Sequence, residues 1–232
     1  MSTVQWLAVL IPGAYLIGSI PFGLLVGLSR GVDPRRAGSG NIGATNVGRL
    51  LGARYFAIVF LLDLLKGLIP MLMAGWVLKD HSRGALGFWL WLSVGLAAIT
   101  GHMFSLFLAF RGGKGVATSL GVVLGVWPFY TLAGLAVGAV WGLIFWRTRI
   151  VSVASIVATG LFPVAYVLIG LAMGWDIFGD AWPLLAFAVF VSGLVIWKHR
   201  GNISRLRAGT ENRFSRQGPS ASGAERSSLH LP

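Results

Sequence analysis

Six apolar runs, at about residues 4–28, 53–78, 85–108, 115–146, 150–173 and 181–197, alternate with short polar segments, and this pattern confines the chain to a membrane. Roughly 20 apolar residues at 1.5 Å per residue cross a hydrocarbon core, where the backbone must satisfy its own hydrogen bonds. Each run except the fourth is therefore the length of one α-helical span. Only 11% of the residues are charged, against about 25% in soluble domains. Ten tryptophans suit the interfacial layers of a bilayer.

The fourth run is too long for one crossing, and Pro128 divides it. Charge placement sets the count. With the N-terminus outside, every lysine and arginine except Lys66, Lys79 and Arg83 falls on cytoplasmic segments, so the positive-inside rule fixes N-out and C-in. Lys114 and Arg147 are then on one side, and the chain crosses an even number of times between them. Two short helices there give seven spans; a re-entrant hairpin gives five. Seven is the expected count, making an all-α integral membrane protein with a cytoplasmic C-terminus.

The formal charge of +12 lies between and after the apolar runs, so nucleic acid is not an expected partner. With no cysteine the chain can form neither a disulfide nor a thiolate metal site. The first charged side chain is Arg30, so a cleavable signal peptide is not expected. Residues 1–212 are expected to form one transmembrane domain. Residues 213–232, rich in Ser, Gly and Arg, are expected to be a disordered basic tail, with Arg213, Arg216 and Arg226 near anionic lipid.

Four polar islands fall on the predicted cytoplasmic side. Residues 38–49, Gly-Ser-Gly-Asn-Ile-Gly-Ala-Thr-Asn-Val-Gly-Arg, form a loop that can offer backbone N–H groups, hydroxyls, amides and a guanidinium to an anion. It lacks the spacing of a nucleotide P-loop. Residues 110–118 place Arg111 and Lys114 among three glycines just before an apolar helix, whose N-terminus favours an anion. Arg147 and Arg149 precede Ser152 and Ser155, two serines that share a helix face. The fourth island runs from Lys198 through His199, Asn202 and Arg205 to Glu211. A basic run beside a membrane is ordinarily a headgroup anchor, but His199 and Asn202, three apart, suit a polyol.

Inside the spans, Asp63 and Lys66 lie three apart and are expected to pair with each other or border a polar cavity. His102 is expected to be a structural, hydrogen-bonded histidine. Neither it nor His81 is followed by the aspartate of the His-x-x-x-x-Asp acyltransferases. No cluster of acids or histidines offers a metal site.

Together these stretches resemble the bacterial acyl-phosphate:glycerol-3-phosphate acyltransferases, the PlsY family. The resemblance is carried by Gly18-Ser-Ile-Pro-Phe-Gly23, Gly38 through Asn46 with Arg49, Asp63-Leu-Leu-Lys-Gly67, Gly101-His102, Phe110 through Thr118, and His199 through Leu206, in order from about residue 10 to 211. Ser105 stands where the family often has proline, an exchange expected to loosen a helix end, and Arg111 where it often has lysine.

The resemblance implies seven transmembrane helices in the bacterial inner membrane, with the active site facing the cytoplasm. It also implies transfer of a fatty acyl group from acyl phosphate to the 1-hydroxyl of glycerol 3-phosphate, giving lysophosphatidic acid without a cofactor or metal. Membrane lipids and a soluble acyl-phosphate-forming enzyme are the implied partners. Carried over by position, Ser39, Asn41, Thr45 and Lys114 resemble the acyl-phosphate and reaction-centre residues. Arg49, Ser152, His199 and Asn202 resemble those that hold glycerol 3-phosphate, and Gly43, Asn46, Gly112 and Gly113 complete the implied binding set. Acyl phosphate is already activated, so direct attack is expected. Asn41 and Lys114 would stabilise the charge, and His199 would orient the hydroxyl. The competing class is a transporter of organic phosphates. Its site would lie near the midplane between repeats, and no repeat is visible.

Overall fold

The computed structural model describes residues 3–79 and 84–214. The expectations placed on His81, Arg83 and the tail beyond residue 214 lie outside the described residues. Among those described, every regular element is helical: α1 (Thr3–Ser19), α2 (Phe22–Leu28), α3 (Ala44–Leu51), α4 (Ala53–Val77), α5 (Ala85–Met103), a short 3-10 turn (Leu106–Leu108), α6 (Val116–Gly125), α7 (Phe129–Thr148), α8 (Val151–Ala172), α9 (Trp182–Lys198) and α10 (Arg200–Arg207).

Five segments are long and apolar enough to cross a membrane: Thr3–Leu28, Ala53–Val77, Ala85–Leu108, Phe129–Thr148 and Val151–Ala172. The pair α9 and α10, bent by 55°, counts as a sixth when the two are taken as one broken span. The fourth run does divide at Pro128, which stands between α6 and α7.

Two boundaries differ from the sequence reading. The first apolar run is interrupted at Ile20-Pro21, because proline has no N–H to continue the helical ladder. The segment 38–49 is loop only to Gly43; from Ala44 it is helix α3. Asn41 Oδ1 accepts the Gly43 N–H at 2.8 Å in the turn that leads into the helix, and Val47 then packs with Val59 of α4. That contact buries the apolar face of a helix too short to persist alone.

Apolar side chains gain little by associating within lipid, so helices there approach through small residues. A Cβ on Gly67 of α4 would overlap the Thr118 carbonyl of α6, and one on Gly121 of α6 would overlap the Leu64 carbonyl of α4. Gly18 and Gly101 bring α1 and α5 together in the same way. Ser105 reinforces that pair, since its hydroxyl donates to the Ser19 carbonyl at 2.5 Å, a tie proline would lack. The main core lies among α5, α6, α7, α8 and α9, around Leu92, Tyr130, Tyr166 and Leu184.

Within this frame Asp63 and Lys66, each 3% exposed, form an ion pair at 2.7 Å. Lys66 also donates to the Ile20 carbonyl at the α1–α2 break (2.9 Å). His102 Nδ1 stands 3.6 Å from Asp63. Asp63 and His102 both border the cavity described next.

Candidate active site

The four polar islands meet at one end of the bundle, around a cavity of about 380 Å³. Its mouth is polar, with Ser39, Asn41, Thr45, Arg49 and Lys114 on one side and Ser152, His199 and Asn202 on the other. Its deeper wall is apolar, passing Val123, Ala158 and Val191 to Phe162 and Phe187.

Asn46 organises the loop that forms the first side. Its side chain, in a residue 2% exposed, accepts the Ser39 N–H at 2.8 Å. It donates to the carbonyls of Pro34 (3.0 Å), Ala37 (3.0 Å) and Asn41 (2.9 Å). Gly38 permits this closure: it has φ +61, and a Cβ there would overlap Asn46 Oδ1. With Asn41 Oδ1 committed to Gly43, the group Asn41 can offer a ligand is its Nδ2 amide, a donor. Gly43, Ala44 and Thr45, at the N-terminus of α3, all face the cavity.

The second N-terminus belongs to α6. Gly115, with φ +84, turns the chain into this helix, and Lys114, Val116 and Ala117 face the cavity. Gly112 and Gly113 do not line it. They donate their N–H groups to the Met103 (3.2 Å) and His102 (3.1 Å) carbonyls, and a Cβ on Gly113 would overlap the His102 ring. Their place is beneath Lys114, pinning its loop to the end of α5.

On the opposite side His199 caps α9, one residue past the end of that helix. Its Nδ1 lies 2.8 Å from the Val195 carbonyl, an acceptor, so Nδ1 carries the hydrogen. In the neutral ring Nε2 is then an acceptor. Burial and the charge of Lys114 lower the His199 pKa to about 4, outweighing the Val195 bond and Glu211, so the ring is neutral at pH 7.

Glu211, to which the sequence reading gave no role, joins this side together. Its side chain is 3% exposed and accepts from Ser152 Oγ (2.7 Å), Asn202 Nδ2 (2.6 Å) and Arg205 Nε (2.7 Å). Burial alone would raise its carboxyl pKa; these three hydrogen bonds outweigh that and hold it lowered. Its sequence signal was an acid isolated among the basic residues after Lys198. The strand of chain that carries it crosses the mouth. Asn212 accepts from Arg49 Nη2 at 3.0 Å, the Phe214 N–H donates to the Arg149 carbonyl at 2.7 Å, and the Phe214 ring lies against both Phe56 and Phe145. Ser155, paired with Ser152 in sequence, accepts from Trp141 Nε1 at 3.1 Å.

Burial lowers the Lys114 pKa to about 8; Glu211 pulls it back up, while Arg205 and Arg49 push it down. The protonated form is the one that can hold an anion, so raising the pH through about 8 removes it. Any anion-dependent kcat/KM is therefore expected to fall above about pH 8. Lys114→Arg is expected to lift that limb out of the accessible range while lowering the plateau, because a guanidinium is always charged but shaped differently. A pH–rate series on both proteins checks this; an unchanged limb in the arginine variant would assign it to another group.

Two helix N-termini, a lysine and an arginine thus converge on one polar mouth above an apolar cavity, which is the chemistry of an anion joined to a hydrocarbon. Comparison with known proteins agrees. A family model described as Glycerol-3-phosphate acyltransferase matches residues 8–209. The glycerol-3-phosphate acyltransferase of Geotalea daltonii is 48% identical over 212 residues, covering 90% of this chain and 97% of that one. That of Aquifex aeolicus is 43% identical over 201 residues, covering 87% and 95%. Two crystal structures of PlsY (YgiH), an integral membrane glycerol 3-phosphate acyltransferase, superpose with TM-scores of 0.76 for its glycerol 3-phosphate form and 0.73 for its lysophosphatidic acid form. Each is 42% identical and covers 90% of this chain and 96% of that one.

Proposed function

This chain belongs to the glycerol-3-phosphate acyltransferase family, and from that premise we propose that its acyl donor is acyl phosphate and its acceptor the 1-hydroxyl of glycerol 3-phosphate. The observation that carries this reading is the joining of the α3 and α6 N-termini with Lys114 and Arg49 at the head of an apolar cavity. One phosphate leaves and one stays on the acceptor, so a donor and acceptor of this kind need two anion sites at the edge of a hydrocarbon pocket.

The attacking hydroxyl forms an ester bond to the acyl carbon as the carbon–oxygen bond to phosphate breaks. The hydroxyl proton leaves with the phosphate. Lys114, the Asn41 amide and the N–H groups opening α3 and α6 would stabilise the carbonyl oxygen and the departing phosphate as charge develops. The Ser152 hydroxyl proton and an Asn202 N–H are already committed to Glu211. Ser152 retains the lone pairs of its hydroxyl oxygen, and Asn202 its Oδ1 and second N–H, which suit the hydroxyl groups of glycerol, while Arg49 suits its phosphate. His199 Nε2, also an acceptor, would aim the reacting hydroxyl.

Seven crossings belong to this reading, α1 and α2 together and then α4 through α9 with the ten-residue α6 as a short one, and so does a polar mouth at the cytoplasmic face of a bacterial inner membrane. There it would meet a water-soluble acceptor and a soluble enzyme that supplies acyl phosphate. Family membership displaces the organic-phosphate transporter reading.

Purified protein given acyl phosphate and labelled glycerol 3-phosphate is expected to release lysophosphatidic acid and inorganic phosphate; no product with acyl phosphate, but product with another acyl donor, would overturn the donor assignment. His199→Gln separates orientation from base catalysis. We expect KM for glycerol 3-phosphate to rise with kcat reduced less than about tenfold, whereas loss of a general base costs about 10²–10⁴ in rate.

A further inference from the structure

Beyond its polar mouth the cavity is an apolar shaft whose lining ends in a floor of aromatic rings. Helix α8 presents Ser152, Ser155, Ala158, Thr159 and Phe162 to it in turn, one helical face over ten residues, or about 15 Å. Helix α7 runs back alongside, presenting Trp141, Gly138, Gly134 and finally Tyr130, a drop of about 16 Å. Helix α9 reaches Phe187 about 18 Å below His199. Three helices thus place the floor at nearly one depth.

The floor is fixed in place. The Tyr130 ring meets Phe162 edge-on at 5.2 Å and lies parallel to Phe187 at 6.3 Å, with Tyr166 beneath it at 5.5 Å. The Tyr130 hydroxyl donates to the Leu184 carbonyl, and Tyr130 is 1% exposed. A ring held by three aromatic neighbours and a hydrogen bond cannot swing aside for a longer ligand at low cost.

We infer that Tyr130, Phe162 and Phe187 set the longest acyl chain the protein transfers efficiently. This rests on the acyl-transfer reading above and adds to it a specificity element in the membrane interior. A methylene that fits the shaft passes from lipid tails to an equally apolar wall, so kcat/KM is expected to change little with chain length until the floor is reached. Once the chain meets the floor, a further carbon has to be overpacked or bent out, and kcat/KM falls.

The test is a chain-length profile, octanoyl to stearoyl phosphate, measured on the whole chain in lipid nanodiscs. Two variants are compared with the parent. Phe162→Ala opens the floor and is expected to move the break in the profile to longer chains, raising the stearoyl-to-lauroyl ratio of kcat/KM about tenfold by relieving overpacking. Gly138→Phe adds a ring at a position that lines the cavity midway along α7; a Cβ there has no atom within 4 Å, so the side chain can be added without moving the backbone. It is expected to move the break to shorter chains. KM for glycerol 3-phosphate should stay unchanged in both, since neither residue reaches the mouth. A folded variant with a profile parallel to the parent overturns the inference, and Gly138→Phe decides alone if Phe162→Ala does not fold. A parent protein inactive with every acyl phosphate overturns the donor reading instead.

Discussion

Lys114→Ala is expected to lower kcat for acyl transfer by about 10²–10³, the usual loss on removing one preorganised group from a developing oxyanion. Lys114 stands at the turn into α6, held there by Gly115 with φ +84 and backed by two glycine N–H groups bonded to the end of α5. The cationic side chain therefore waits where charge appears and need not reorganise during the reaction. The same burial that lowers its pKa to about 8 makes the site electrostatically stiff. Removing a partly desolvated cation relieves a folding cost, so the variant is expected to melt at or above the parent temperature. Single-turnover rates and thermal unfolding of the two proteins check both halves. Undiminished turnover would remove Lys114 from the reaction, and a fall in activity that merely followed a fall in melting temperature would make its role structural.

Asn46→Ala is expected to lower kcat/KM by at least about 10² through a different route, together with a loss of about 2–4 kcal/mol in stability. The Asn46 amide receives the Ser39 N–H and reaches three carbonyls, those of Pro34, Ala37 and Asn41. Alanine leaves these groups without a partner inside a closed loop, and buried unpaired backbone groups are the expensive part of a lost hydrogen bond. Ser39 and Asn41 then lose their placement over the cavity. Asn46→Asp is the informative companion, because it can still accept from Ser39 but cannot donate to the carbonyls. An activity intermediate between alanine and asparagine is expected. Equal activity in all three, assayed with the same acyl donor, would show that the loop is set by other contacts.

The sequence made the helical spans legible because lipid imposes a single rule on the backbone. The division of the fourth run followed from Pro128, and the grouping of Lys114, Ser152, His199 and Asn202 at one end followed from where the polar islands fall between spans. Short helices were harder. Residues 44–51 contain a glycine, a threonine and an asparagine, poor helix formers, and are helical because Val47 finds Val59 and because Asn41 Oδ1 holds the Gly43 N–H in the turn before them. The function of Gly112 and Gly113 was likewise ambiguous on paper. A glycine that approaches a ligand and one that approaches a neighbouring carbonyl look alike in sequence, and here both lie against the end of α5. Glu211 escaped because a lone carboxylate carries no spacing; its meaning comes from three donors on α8 and α10 that sequence separation conceals.

The strand of chain from Gly209 to Phe214 has a consequence for when the site comes into being. Arg49, near the start of the protein, and Ser152, more than halfway along, receive their partners only from residues 212 and 211. All the described helices precede those residues, so during synthesis the bundle can be inserted and packed while the mouth still lacks its closing carboxylate. The contacts of Glu211 form after every described span has been made, and a nascent chain interrupted before Glu211 would carry the pocket without the group that ties Ser152, Asn202 and Arg205 together.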